Sequence, residues 1–249
     1  MTDYIEEFIK EKNLAQNSQS SYRYDLQAFA KAVGEPKDLT QAKVRTFEKS
    51  LSAFKPSAAR RKRSTVNQYL IFLFRHGIVS ELFNLPDVIR LPKNTTIPEK
   101  KDLSAFYADS NDHLGQVLVL LIVELGLTPS EILNIEVKNL DLEFKTLVVE
   151  TRGKVRVLNL TSTLVDHLTM PEGHKQYFFE KSGSHYSRQW FFTHISRYQK
   201  ELGIEPLTAQ ELREQYILRC VEEGVDIHEL GRRLGLKSPI TIEKYYAQD

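Results

Sequence analysis

Over residues 1–80 apolar side chains recur at helical spacing. Tyr4, Ile5, Phe8 and Ile9 mark one face, and Tyr22, Leu26, Phe29, Ala30 and Val33 mark a second that stops at Gly34. Thr40 is placed to cap a third helix. Ser57 opens a fourth through "AARRKRSTVNQYLIFLFRHG" (58–77), basic in its first half, apolar in its second and ended by Gly77. The pattern predicts a four-helix body over 1–83.

The period lapses at 84–101, "NLPDVIRLPKNTTIPEKK", where three prolines disfavour helix at their own positions and at the residues before them. This stretch is expected to run as an extended linker. A second body, 102–249, begins with a short helix near Leu103 and a helix from about Asp112. "LGQVLVLLIVELGL" (114–127) is shorter than the ~20 residues of a membrane span and carries Glu124, so it reads as a buried helix. Pro129 in "TPSEILNI" suits the first turn of another helix, behind Thr128. Then "LEFKTLVVETRGKVRVLNL" (142–160) changes period, with β-rich runs flanking "TRGK", a hairpin with Gly153 in its turn. Helical starts follow near Thr161, Ser184, Thr208, Asp226 and Ser238. The chain is therefore expected to be mainly α with one small antiparallel sheet.

Composition alters this picture in one respect. With 249 residues, 41% hydrophobic and 27% charged, the chain has the balance of a folded soluble protein. The net charge of +1 hides an asymmetry: residues 1–100 hold 17 Lys and Arg against 11 Asp and Glu, a net of +6, and residues 101–249 a net of −5. A basic first half suits a polyanion such as nucleic acid, with Arg60, Arg61, Lys62 and Arg63 as candidate phosphate contacts. Cys220 is the only cysteine, so no internal disulfide forms. The N-terminus lacks an apolar export segment, and cytoplasmic residence is expected. Glycine-rich phosphate loops, metal-ligand spacings and nucleophile elbows are missing from the sequence, and neither metal nor cofactor is expected.

The order of elements carries more than any single motif. A basic helical domain, a linker, a helical domain with one hairpin, "LTAQELR" (207–213), "RRLG" (232–235) and a tyrosine ten residues after that glycine follow one another. This order resembles the tyrosine recombinase family, its Xer-type members in particular, over nearly the whole chain. The resemblance implies an N-terminal four-helix core-binding (SAM-like) domain and a mostly helical catalytic domain. It implies double-stranded DNA as partner, with another tyrosine recombinase as a candidate second partner, and leaves the oligomeric state open.

The chemistry implied is metal-free. A tyrosine hydroxyl attacks a DNA phosphodiester to give a 3′-phosphotyrosyl link, guanidinium and imidazole donors meet the charge that gathers on phosphate oxygens, and a hairpin lysine protonates the leaving oxygen. By this resemblance Tyr245 stands at the nucleophile position, with Tyr246 one step late, and Arg213 at an arginine position. Lys154 is the first choice for the hairpin lysine and Arg152 the second, since an arginine hardly titrates. The chain departs from the family at Thr128, where an arginine is expected, at Gln210 and Glu214, where histidines are, and at Leu236, where His or Trp is. Glu214 is expected to neutralise Arg213. The 246–249 segment is too short for a tail helix that docks on a neighbour. Three readings stay open: a DNA-binding relative without ordinary recombinase activity, a slow or partner-dependent recombinase, and a protein-interaction module.

Overall fold

The computed structural model describes residues 1–86, 97–151 and 153–247. The chain divides into two compact units, Met1–Lys93 and Asn94–Asp249. The expected linker at 84–101 spans this division, and its central part, 87–96, lies outside the described residues.

The first unit is built from α1 (Thr2–Glu11), α2 (Gln16–Val33), α3 (Gln41–Ser50) and α4 (Pro56–Arg75). Thr40 caps α3 by accepting the Lys43 N–H, and α2 ends at Gly34. α4 starts one residue earlier than its sequence suggests, because Pro56 takes the first turn, where its missing N–H costs nothing. Apolar faces converge on one core in which Phe8 meets Tyr69 and Phe72, and Phe29 meets Phe47 edge to face at 5.0 Å. Each fully buried side chain of this size contributes about 1.5–3 kcal/mol.

The second unit surrounds α5 (His113–Leu125), eleven of whose thirteen residues are buried. Glu124, the one acid inside it, is kept ionised by neighbours. Its Oε1 accepts from Tyr107 at 2.5 Å and from Arg219 at 2.7 Å. Burial alone would raise its pKa, but these partners outweigh burial and hold it below the usual glutamate value. α5 stops at Gly126, whose φ of +64° and close approach to the Tyr216 ring, 2.5 Å from where a Cβ would lie, require glycine.

Around α5 lie α6 (Pro129–Leu133), α7 (Ser162–His167), α8 (Arg188–Glu201), α9 (Ala209–Glu222) and α10 (Ile227–Arg233). A three-stranded antiparallel sheet of β1 (Leu140–Asp141), β2 (Thr146–Thr151) and β3 (Lys154–Asn159) interrupts them in the order β1-β2-β3. Thr151 pairs with Lys154, which makes the turn containing Gly153 (φ +73°) as tight as the sequence suggests. A second sheet pairs β4 (Glu180–Lys181) with β5 (Ser184–His185). The helix expected from Ser184 therefore begins at Arg188, behind a Ser187 cap: Ser184 belongs to a strand that turns back on β4. Among the described residues past Ser238 the chain forms two short 3-10 turns, Pro239–Thr241 and Glu243–Tyr245, in place of the expected helix.

Candidate active site

α6 opens with a capping box. The Thr128 hydroxyl accepts the Glu131 N–H at 3.3 Å, while Glu131 Oε2 accepts the Thr128 N–H at 2.9 Å and its hydroxyl at 2.8 Å. Thr128, expected from the resemblance to stand at an arginine position, thus closes a helix start and brings no charge there.

The other Glu131 oxygen faces the hairpin. Oε1 accepts from the Thr151 hydroxyl at 2.9 Å and lies 2.8 Å from Nη2 of Arg156, with both charged side chains more than nine-tenths buried. Burial pushes the Glu131 carboxyl up, but the Thr128 N–H, the Arg156 charge and the surrounding hydrogen bonds bring it below the ordinary value. Arg156 was missed in the sequence reading. The signal was available: Lys154 and Arg156 are two apart in a strand and so share a face.

Two guanidinium groups then close the C-terminal end of α10, whose last carbonyls have no partner within the helix. Arg156 Nε donates to the Arg233 carbonyl and Arg213 Nη2 to the Leu234 carbonyl, both at 2.9 Å. Burial lowers the Arg213 pKa, Glu131 opposes that shift, and the like charge of Arg156 adds to it. Glu214 is not the acid that acts on Arg213, contrary to expectation. Successive helical residues point about 100° apart. Glu214 instead accepts from Gln210 at 3.1 Å, and its charge acts on the Tyr245 hydroxyl, whose pKa it helps to raise.

A cavity of about 940 Å³ brings together Thr128, Glu131, Lys154, Gln210, Arg213 and Leu236. Lys154 is exposed and has no ion-pair partner among the described residues. Arg188, also on the wall, lies over the Phe192 ring at 5.7 Å. Arg152 lies outside the described residues. Tyr245 is not among the lining residues. Its ring is buried beside Ile242 and Leu234, with Lys244 Nζ 4.7 Å from its centroid, and burial reinforced by Glu214 pushes its hydroxyl up to about 12. Tyr246 donates its hydroxyl to the Val225 carbonyl at 2.7 Å.

In the first unit the basic run Arg60 to Arg63 of α4 divides into two pairs. Arg60 and Arg61 are exposed, Arg61 donating to Asp25 at 3.0 Å. Lys62 is 4% exposed, donates to the fully buried Asp25 at 2.8 Å and lies 4.9 Å from the ring centroids of Tyr24 and Phe54. Arg63 points toward Glu48, 3.7 Å away, with its side chain 12% exposed. Only the first pair is turned to solvent.

Among the described residues no group of three His, Cys, Asp or Glu side chains is placed to hold a metal. No described helix is long and apolar enough to cross a membrane.

Comparison with known proteins agrees with this architecture. The Phage integrase family matches residues 96–249, and the Phage integrase N-terminal SAM-like domain matches residues 1–77. The chain belongs to the phage integrase family, the tyrosine recombinases. It is 42% identical over 248 residues, 99% of either chain, to the tyrosine recombinase XerD-like protein of Streptococcus mutans serotype c. Solved structures share the fold at low identity. The Tn1549 transposon integrase in complex with transposon right end DNA has a TM-score of 0.75 at 12% identity, covering 100% of this chain and 95% of that one. The XerH site-specific recombinase bound to difH substrate gives 0.74 at 17%, covering 100% and 82%. A lambda integrase dimer bound to a core site gives 0.75 at 15%, covering 98% and 94%.

Proposed function

We propose that this chain is a DNA-binding XerD-like protein that works in the cytoplasm and does not carry out ordinary strand cutting and rejoining. One observation carries the reading: Arg213 and Lys154 share a cavity whose other recombinase positions are Thr128, Gln210 and Leu236, while Tyr245 is buried and does not line it. Loss of a single preorganised donor to a transition-state oxyanion costs roughly 3–4 kcal/mol, a factor of about a hundred to a thousand in rate. Thr128 and Gln210 donate without charge, and Leu236 donates nothing. Burial and the charge of Glu214 push the Tyr245 hydroxyl up to about 12, which lowers its ionised fraction at neutral pH.

DNA as the partner is supported by the basic first half of the chain, by the exposed Arg60 and Arg61, and by the DNA complexes formed by proteins of the same fold. A lone cysteine, buried and with its thiol pushed up by that burial, suits a reducing compartment.

The test is incubation with nicked duplexes that trap phosphotyrosyl intermediates, followed by denaturing electrophoresis. The expected result is no adduct. An adduct that disappears in Tyr245→Phe would overturn the reading in favour of a slow or partner-dependent recombinase, which the shared cavity of Arg213 and Lys154 supports. Lack of DNA binding at any salt concentration would point instead to a protein-interaction module.

A further inference from the structure

Beside the large cavity lies a smaller one of about 280 Å³ with a different charge character. The two share Thr151, Lys154, Gly235, Leu236 and Lys237, but Glu131 and Glu150 line only the large one. The basic groups on the small cavity are Lys154, Arg156, His228, Arg232 and Lys237, and no carboxylate is among its lining residues. Arg232 is ion-paired with Glu229 and Arg156 with Glu131. Lys154, His228 and Lys237 have no acidic partner among the described residues.

Arg156 forms the inner wall. Its side chain is 9% exposed, yet its hydrogen bonds do not use up its donors. Nε is satisfied by the Arg233 carbonyl, whereas the buried Nη2, although 2.8 Å from Glu131, has no acceptor in hydrogen-bonding geometry, since attraction of charge does not by itself aim an N–H. The backbone leaves the group open. Gly235 has a φ of +66°, and a Cβ there would lie 2.8 Å from Arg156 Nη1. Nη1 thus borders the small cavity beside Gly235, and several like charges around one small space are unfavourable until an anion enters.

We propose that this smaller cavity is an anion subsite for one tetrahedral phosphate. Arg156 supplies the fixed guanidinium at its back, and Lys237, His228 and Lys154 supply donors at its mouth, with the Ser238 hydroxyl beside them. Arg156 meets α6 at Glu131, three residues after Thr128, and so returns a guanidinium to the neighbourhood where Thr128 leaves none. The phosphate is a DNA backbone phosphodiester. That assignment of its source rests on the DNA-binding reading above, whereas the subsite itself does not.

Thermal unfolding of the full chain in sodium phosphate, against sodium chloride at matched ionic strength, tests the subsite without DNA. The wild type is expected to gain midpoint temperature with phosphate, and the His228→Ala, Lys237→Ala double variant to bind phosphate about tenfold more weakly. Both residues are exposed, so the variant should match the wild type in chloride. No gain in the wild type, or an equal gain in the variant, overturns the subsite. Arg156→Gln should lose the gain as well, but the exposed pair decides the matter if that variant misfolds. The source is read from binding of a short duplex as salt is raised. A variant slope shallower by about 1 supports a DNA phosphate, while an unchanged slope with lost phosphate binding overturns the DNA source and assigns the subsite to a free phosphate. If neither protein binds DNA the function proposed above fails, and the phosphate result still judges the subsite.

Discussion

Each of the two units buries a carboxylate beneath basic side chains, and they put that arrangement to different uses. In the first, Asp25 is fully buried and draws Lys62 inward, removing one positive charge from the basic helix α4. In the second, Glu131 is almost as deeply buried and draws in Arg156, but a guanidinium has more donors than one carboxylate oxygen occupies, so Arg156 also bonds the Arg233 carbonyl and still lines a cavity. The difference is one of geometry. A lysine committed to an acid presents little else, whereas an arginine can be anchored and still recognise an anion.

The sharpest way to break the comparison is to remove each acid. Asp25→Ala and Glu131→Ala should each cost roughly 3–5 kcal/mol in urea unfolding, because a buried charge is left without its partner. If Asp25→Ala unfolds at the wild-type midpoint, Lys62 is not held by that pair. Acid separates the two forms of Glu131. Its folded pKa lies below the ordinary value of 4.5, so the stability it contributes is full above that value and is lost as pH falls through the folded one. Stability of the wild type should decline below pH 4.5 more steeply than that of Glu131→Gln, and parallel declines would show that the ionised form gains nothing from Arg156. A smaller effect is expected at the helix start. Thr128→Ala removes the cap and one bond to Glu131, and should cost about 1–2 kcal/mol by denaturant titration. The smallest effect on folding is expected at the exposed end of the comparison. Arg60→Ala should leave the unfolding midpoint unchanged while weakening duplex binding and reducing its salt slope by about 1, as measured by anisotropy titration. An unchanged slope would remove Arg60 from the DNA contacts.

Much of the fold was legible because its signals are local. Thr40, Thr161, Thr208 and Asp226 cap helices by accepting N–H groups within the next three residues, and Gly153 sits in a two-stranded turn whose flanking runs alternate. Arg213 and Lys154 were singled out through the resemblance to a known family, and both line the larger cavity. The exceptions have physical reasons. A Ser-rich start at 184 looks helical until β4 supplies a strand partner, and a two-residue strand carries no period to announce it. Glu214 was assigned to Arg213 by adjacency in sequence, but a helix turns neighbours to different sides. Arg156 escaped notice because in a hairpin an alternating "KVRV" reads as one solvated edge, when the residue's charge is buried against a helix start.

What the sequence determined alone, then, is where most helices begin and end, where the chain changes period, and the order of elements that marks the family. These depend on neighbours within a turn or on alternation along a strand. Tertiary structure decided which charges remain available. Lys62 and Arg61 are consecutive in one basic run, yet one is buried and the other exposed, and the acid to which both donate lies 37 residues from Lys62. The free energy of a charge depends on what surrounds it in space, and for Lys62, Arg156 and Tyr245 those surroundings come from distant parts of the chain.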